Sequence, residues 1–126
     1  LSEGRGTTRP FEIFGAPWVD PDTLVGVLQS WNLPGVRWRP LSFEPTFHKF
    51  AGDLCGGVQA HVTDRRAFSS VTAYTAALAA VREIHPDHFA WKEPPYESEH
   101  LRLPIDILAG GSLWREHPRS SLAWRR

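Results

Sequence analysis

A helix start signal near residue 20 restricts the fold of this chain more than any other local feature. Asp20 is a preferred N-cap, Pro21 suits the first helical position, and Asp22 complements the helix dipole. Apolar residues then recur at helical spacing: Leu24, Val27, Leu28 and Trp31. Asparagine, proline and glycine at 32–35 end the pattern. The sequence therefore predicts a helix that begins after Asp20 and has one apolar face to bury.

A second helix is predicted further along the chain. Ser69 or Ser70 can cap its start. It ends at His85-Pro86, since the residue before a proline disfavours the helical conformation. Its predicted apolar stripe consists of Val71, Tyr74, Leu78 and Val81.

Four other segments have the pattern of short strands or short helices. Residues 36–43 alternate around Pro40, which has no N–H for a ladder, so we expect an edge or bulged strand. Residues 57–64 form a clearer strand, with Val58, Ala60 and Val62 on one face. A strand at 89–91 and a brief helix at 104–108 are also predicted. Helices mixed with strands, without strict alternation, indicate an α+β fold.

The composition excludes several classes of function. The 126 residues are enough for one domain. Fourteen basic residues balance fourteen acidic ones, whereas non-specific nucleic-acid binding needs a surplus of positive charge. One cysteine permits neither an internal disulfide nor a cysteine-based zinc site. No apolar run approaches the roughly 20 residues of a transmembrane helix, so we expect no nucleic-acid partner and no transmembrane segment.

The start of the sequence and its arginine-rich end both differ from those of a typical complete domain. The chain contains no methionine and begins at Leu1, so we expect a fragment or a processed product. Its first residues lack the pattern of a signal peptide, and a localisation signal would lie upstream. The tail from Ser112 to Arg126 has no apolar period and is rich in arginine, so we expect it to be poorly ordered.

The densest polar cluster runs from Ser2 to Thr8. Gly4 and Gly6 allow the backbone to approach a ligand, and Arg5 between them can bind a carboxylate or a phosphate bidentately. The segment is not a P-loop, because no Gly-Lys-Ser/Thr follows it. A ligand-binding role and a mobile linker are both compatible with these residues.

The pattern singles out no nucleophile and no metal site. Cys55 is more typical of a small buried residue before a strand, although His48 and His61 are near it in sequence. His85 and His88 flank a proline, so they do not share a helical face. We therefore predict no metal and no cofactor.

Acid and base groups for glycosidic chemistry are also not identified. Such chemistry needs a pair of carboxylates that flank the scissile bond. The available carboxylates show no spacing that selects a pair: Glu3, Glu12, Asp53, Asp64 and Asp106. The catalytic residues therefore remain unknown from the sequence.

Six tryptophans offer flat apolar faces that suit the C–H groups of a pyranose ring. Trp18, Trp38 and Trp91 are candidates for such stacking. Most of the tryptophans should instead lie in the core, because aromatic side chains supply much of the apolar area of a small domain. A carbohydrate-binding module is therefore one hypothesis for a function without catalysis.

Several segments together resemble the C-terminal part of the NamZ-type exo-β-N-acetylmuramidases. They occur in the family's order and cover about residues 1 to 111. The matching segments are Ser2-Glu3-Gly4-Arg5-Gly6-Thr7, Pro10-Phe11-Glu12, Phe14-Gly15-Ala16-Pro17-Trp18, Phe43-x-Pro45-Thr46-Phe47, Cys55-Gly56-Gly57-Val58-Gln59, His61-Val62-Thr63-Asp64 and Pro104-Ile105-Asp106-Ile107-Leu108. After Gly111 the sequence departs from the helical ending that the resemblance leads us to expect.

The resemblance implies a bacterial glycoside hydrolase that releases N-acetylmuramic acid from the non-reducing ends of peptidoglycan fragments. It implies a secreted, periplasmic or cell-envelope protein with an N-terminal catalytic domain, so the catalytic residues would lie upstream. Residues 1–10 would be a linker motif from that missing domain, 11–111 a C-terminal auxiliary domain, and 112–126 a divergent tail. The expected fold is a short-stranded, partly barrel-like sheet packed with about two main helices.

A substrate-binding role for the linker motif follows as a hypothesis. Muramic acid carries a lactyl carboxylate, and Arg5 is its natural bidentate partner, with Thr7 and Glu12 as supporting polar groups. Trp18 completes the predicted sugar-binding set. Two alternatives stay open: a free-standing muropeptide-binding module, and a purely structural domain that supports the catalytic half.

Overall fold

The computed structural model describes residues 1–117. Its elements are β1 (Ile13–Ala16), α1 (Pro21–Ser30), β2 (Val36–Phe43), β3 (Cys55–Val62), α2 (Ser70–Ile84), α3 (Pro104–Ala109) and α4 (Leu113–Glu116). One compact unit spans Leu1–Pro86, and a second begins at Asp87. Within the described range, no helix is both long enough and apolar enough to cross a membrane.

The predicted first helix is confirmed as α1. The Asp20 carboxylate accepts a hydrogen bond from the backbone N–H of Thr23 at 3.3 Å, which caps the helix as the sequence indicates. Leu24 and Leu28 are fully buried, so the apolar face lies in the core. The helix ends at Ser30, just before the predicted breakers.

The three strands form one antiparallel sheet in the order β1-β3-β2. Pro40 lies in β2, on the edge of the sheet, as its missing N–H predicts. The expected partly barrel-like closure is wrong for residues 1–117. Both outer strands pair with β3 and not with each other, so the sheet stays open.

The strand predicted from residue 57 begins earlier, at Cys55. Val58 and Ala60 are buried as expected, but Val62 is 46% exposed. The reason is the short length of β1, whose pairing ends with Ile13 opposite Gln59 and therefore does not reach Val62.

Helix α2 is confirmed, with Ser69 as its N-cap, but its predicted apolar stripe is wrong in part. Val71 is 62% exposed, whereas Val81 is buried. The buried face consists mainly of alanines at helical spacing: Ala73, Ala76, Ala77, Ala79 and Ala80. Small side chains allow a helix backbone to approach its neighbours closely, so burial here follows size and position more than hydrophobicity.

The core between the sheet and α2 is built on aromatic contacts. Phe14 of β1 meets Trp38 of β2 edge-on at 6.0 Å between ring centroids, and Tyr74 of α2 lies 5.9 Å from Phe14 and 6.2 Å from Trp38. A smaller cluster contains Ile13, Phe43 and Cys55 with Leu41 and Phe50 packed against it. Trp38 is thus a core residue, as most of the tryptophans were expected to be.

The second unit contains the predicted helix at 104–108 as α3. The strand predicted at 89–91 is wrong, because these residues form no ladder and their aromatic rings pack on each other. Trp91 also packs edge-on against Trp114, at 5.5 Å. Trp114 belongs to α4, which lies inside the tail that was expected to be poorly ordered. The rest of that tail, 118–126, lies outside the described residues.

Candidate functional site

The polar cluster at residues 2–8 is fixed against the start of the sheet. Ser2 is buried, and its backbone exchanges two hydrogen bonds with Gly15, at 2.7 and 3.1 Å. Gly4 has a φ of 78°, and a Cβ added there would lie 2.5 Å from the carbonyl oxygen of Ile13. A side chain at position 4 is therefore excluded by both conformation and space.

The same loop is held from its other side by the segment that follows β2. The backbone N–H and the hydroxyl of Thr46 both donate to the carbonyl oxygen of Gly6, at 2.9 and 3.0 Å. Gly6 has a φ of 83°, and a Cβ there would meet the backbone nitrogens of Thr46 and Phe47 at 2.7 Å. The two glycines thus allow the loop to lie between β1 and this segment.

These contacts assemble a cluster of basic side chains around one carboxylate. Glu3 forms ion pairs with Arg5 Nε at 3.1 Å and with Lys49 Nζ at 3.0 Å. The Nδ1 atom of His48 lies 3.9 Å from the same carboxylate. We call Glu3, Arg5, His48 and Lys49 the basic cluster. Two cations share one carboxylate, so the cluster has a surplus of positive charge that can attract an anion.

Glu3 is ionised throughout the neutral range. Burial alone would raise the pKa of its carboxyl, but the hydrogen bond from Lys49 and the charges of Lys49 and Arg5 outweigh burial and lower that pKa. The carboxylate therefore remains a fixed anchor for both cations.

Arg5 has the exposure and the free donors of a ligand-binding side chain. Its side chain is 48% exposed, and its guanidinium carbon lies 5.7 Å from the ring centroid of Phe11, a cation–π contact. The ion pair to Glu3 uses Nε, and the Nη groups make no hydrogen bond to residues 1–117. Such an arrangement can present two N–H donors to a carboxylate.

The polar groups of Thr7 and Glu12, the two supporting residues predicted from the sequence, already have partners. The Thr7 hydroxyl donates to the carbonyl oxygen of Gly4 at 2.6 Å and accepts from the backbone N–H of Arg9. Glu12 accepts from Gln59 Nε2 at 3.4 Å and from Arg9 Nη1 at 3.5 Å. Thr7 therefore shapes the loop, while the half-exposed Glu12 keeps acceptor capacity toward solvent.

Trp18 is not brought together with Arg5. Its ring packs edge-on against His85 at 5.5 Å, next to the end of α2. The residue next to Arg5, Phe11, instead contacts Tyr74 in the first half of α2. From Tyr74 to His85 the helical rise amounts to about 16 Å.

Cys55 and His61, two other candidates from the sequence, lie outside the basic cluster. Cys55 is fully buried, and burial raises the pKa of its thiol, as is typical of an unreactive core cysteine. His61 lies near Arg39, whose Nε approaches His61 Nε2 at 3.4 Å. Among residues 1–117, no group of three or more His, Cys, Asp or Glu side chains could hold a metal ion.

Sequence reasoning assigned no role in the site to three of the residues that shape this region. Lys49 meets Glu3 across more than forty intervening positions, and no local pattern indicates such a pair. Phe11 and Phe47 are about 60% exposed, although isolated aromatic residues are usually expected in the core. The recurrence of Gly4 and Gly6 was the available signal, because closely spaced glycines indicate close backbone approach.

Residues 1–122 match the family model described as exo-beta-N-acetylmuramidase NamZ, C-terminal. The chain belongs to this family. The match includes the loop, the basic cluster and β1 to β3, so the family resemblance found in the sequence is confirmed.

Two relatives of this NamZ C-terminal chain are informative. It is 46% identical over 89 residues to the peptidoglycan beta-N-acetylmuramidase NamZ of Bacillus subtilis (strain 168), covering 71% of this chain and 22% of that protein. A crystal structure of a DUF1343 family protein from Bacteroides fragilis NCTC 9343 is similar, with a TM-score of 0.78 and 28% identity, covering 98% of this chain and 31% of that one. The chain therefore spans less than a third of either relative.

Proposed function

We propose that this chain is the C-terminal part of a glycoside hydrolase that releases N-acetylmuramic acid from the non-reducing ends of peptidoglycan fragments. Membership of the NamZ C-terminal family and 46% identity to a peptidoglycan beta-N-acetylmuramidase support this proposal. We place the main catalytic residues in an additional N-terminal domain, because both relatives are much longer than this chain. The isolated chain is then inactive, and its site of action is the cell envelope or its surroundings.

The observation that carries the proposal is the exposed Arg5 in a cluster with surplus positive charge. The lactyl carboxylate of muramic acid is planar and anionic, and a guanidinium binds such a group through two parallel hydrogen bonds. Glu3 and Phe11 fix the orientation of Arg5, which reduces the entropy lost on binding. In this proposal Thr7 holds the loop, Glu12 accepts from sugar hydroxyls, and Trp18 contacts a more distant part of a longer fragment.

The test uses the complete enzyme with the substitution Arg5→Ala. We expect kcat/KM for N-acetylmuramic substrates to fall about 10- to 100-fold, the range for a lost hydrogen-bonded charge contact. Activity on N-acetylglucosamine analogues, which lack the lactyl carboxylate, should change little. Arg37→Ala is the matched control, since Arg37 is an exposed arginine of β2 outside the basic cluster. Unchanged discrimination between the two sugars in Arg5→Ala would exclude this role.

A free-standing carbohydrate-binding module is the second candidate, and the exposed rings of Phe11 and Phe47 favour it. Titration of the isolated chain with a disaccharide that contains N-acetylmuramic acid, followed by tryptophan fluorescence and an assay of sugar release, tests whether this chain binds or cleaves the sugar by itself. Binding without sugar release fits either a recognition module or the C-terminal part of the enzyme. Sugar release would place a catalytic carboxylate in this chain, and absence of both fits a purely structural domain.

A further inference from the structure

A groove of about 640 Å³ lies beside the last residues of β3, and the proposed function does not use it as a whole. Its walls include Phe11, Phe68 and Tyr74, and its polar rim includes Glu12 and Arg65. All of these residues belong to the unit formed by Leu1–Pro86. The groove therefore combines aromatic faces with hydrogen-bonding groups, which is the usual composition of a small-molecule site.

Phe11 presents its ring to solvent in a backbone conformation that bulky residues rarely adopt. Its φ is 67° and its exposure is 59%. The conformation is held from both sides, because its N–H donates to the carbonyl oxygen of Glu3 at 2.7 Å and its own carbonyl oxygen accepts from the Tyr74 hydroxyl. A costly conformation that displays an apolar ring to water is more typical of a ligand contact than of a folding element.

The end of β3, from Ala60 to Val62, also lines the groove and has an open edge. The N–H of Ala60 donates to the carbonyl oxygen of Glu12 at 2.9 Å, on the β1 side of β3. Backbone groups alternate along an antiparallel strand, so the N–H of Val62 faces the same side. The chain turns away at Phe11, and within the described part of the protein no strand lies beside Val62 there. One backbone N–H is therefore offered to a ligand.

From this combination we infer that the groove binds an uncharged N-acetylated sugar ring of the glycan, next to the muramic acid site. The Phe11 ring accepts the C–H face of the sugar, the Val62 N–H donates to the acetamido carbonyl, and Glu12 accepts from a hydroxyl. A peptide strand would need several open edge residues, whereas the described edge offers one. The inference rests on the proposed function for the identity of the glycan.

The test is an NMR titration of the ¹⁵N-labelled chain with N-acetylglucosamine, and with glucose as the control that lacks the acetamido group. We expect N-acetylglucosamine to shift the amides of Val62, Ser70 and Tyr74, with glucose binding at least about tenfold more weakly. Equal responses to the two sugars, or shifts confined to residues away from the groove, would overturn the inference. So would the absence of any shift at about 50 mM sugar, far above the millimolar range of a weak site.

Two variants separate ligand contact from a structural role. Phe11→Gly accommodates the positive φ without strain, so it should fold with an unchanged or higher Tm and yet bind N-acetylglucosamine about tenfold more weakly. A lower Tm with unchanged binding would mean that the ring is structural and would overturn the inference. Leu54→Ala is the control, since Leu54 is 68% exposed and does not line the groove.

A parallel titration with N-acetylmuramic acid distinguishes failure of this inference from failure of the proposed function. That sugar should shift the amides of the basic cluster, and Arg5→Ala should remove the response while groove shifts from N-acetylglucosamine persist. If the basic cluster does not respond but the groove does, the role of Arg5 is wrong and the groove is still a sugar site. The converse result overturns the groove alone.

Discussion

The phenol of Tyr74 donates a hydrogen bond to the backbone carbonyl oxygen of Phe11 and thereby ties α2 to the residue where the chain turns toward β1. Burial, with a smaller effect from the Glu12 carboxylate, raises the pKa of Tyr74 above its usual value, so the hydroxyl stays protonated and can donate. Because Phe11 has a left-handed conformation, this single bond helps to hold both the strained backbone and the wall of the groove.

Tyr74→Phe should therefore destabilise the first unit by about 1 kcal/mol, the typical net contribution of one intramolecular hydrogen bond. The ring remains, so its contacts with Phe14 and Trp38 are kept. Urea unfolding followed by tryptophan fluorescence gives the value. Tyr96→Phe, a change at the other tyrosine of the chain, is the control. Equal midpoints for the two variants would show that the bond to Phe11 does not contribute.

Replacement of glycine by alanine should have opposite effects on stability at two positions. At Gly57 in β3, an added Cβ would lie 2.1 Å from the carbonyl oxygen of Phe14. Gly57→Ala must therefore push β1 away from β3. We expect a loss of about 1–3 kcal/mol, as for other overpacked positions. Gly26 in the middle of α1 has no atom within 4 Å of an added Cβ. Gly26→Ala should therefore stabilise the helix by about 0.5–1 kcal/mol. Thermal unfolding of both variants checks the signs, and a loss in each would contradict this account.

The elements that sequence reasoning predicted well are those with local causes. The Asp20-Pro21 start of α1 depends on the capping carboxylate and the φ of proline, both of which act within one turn. The edge position of β2 follows from a single missing N–H at Pro40. Such features require no knowledge of the rest of the fold.

The parts that were not predicted depend on tertiary contacts. The buried face of α2 has the spacing of a helix, but its members are alanines, whose small size gives a weak hydrophobic signal beside Val71 and Leu78. The pairing of Glu3 with Lys49 joins two loops that sequence alone does not place side by side. The conformation of Phe11 is imposed by Glu3 and Tyr74, and nothing in its own residue type indicates it.

Acid should loosen the loop that carries Arg5. The folded-state pKa of Glu3 lies below its ordinary value of 4.5, because the hydrogen bond and the charges of its cationic partners outweigh burial. The stabilisation is therefore fully present above about pH 4.5 and is lost as the pH falls through the lower folded-state pKa. Since the side chain is partly solvent-exposed, the contribution is at most about 1 kcal/mol.

Glu3→Gln tests this dependence through the Tm measured between about pH 3 and pH 6. The variant should be less stable than the wild type at the upper end and should converge with it in acid. Glu44→Gln is the control, because Glu44 is an exposed carboxylate outside the basic cluster. Its Tm should change between acid and neutral pH by the same amount as the Tm of the wild type. A Glu3→Gln curve that runs parallel to the wild type over the whole range would show that Glu3 is not linked to folding.

The second unit depends on a bidentate ion pair that joins α3 to α4. Arg115 Nε and Nη2 donate to the two carboxylate oxygens of Asp106, at 2.8 and 2.9 Å. The hydrogen bond from Arg115 lowers the pKa of Asp106, so the pair persists until the pH falls below the usual range of an aspartate. Lysine would keep the charge but not the planar fork that makes both bonds.

Arg115→Lys and Asp106→Asn should therefore both increase hydrogen exchange at the amides of α4, with the larger increase in Asp106→Asn, which removes the charge as well. Arg102→Lys is the matched control, because Arg102 contacts Glu99 through Nε and its exposed pair does not join two helices. The comparison separates geometry from charge. If the amides of α4 exchanged as slowly in Arg115→Lys as in the wild type, the attraction of opposite charges would be sufficient. The two parallel hydrogen bonds would then not be what holds α4 against α3.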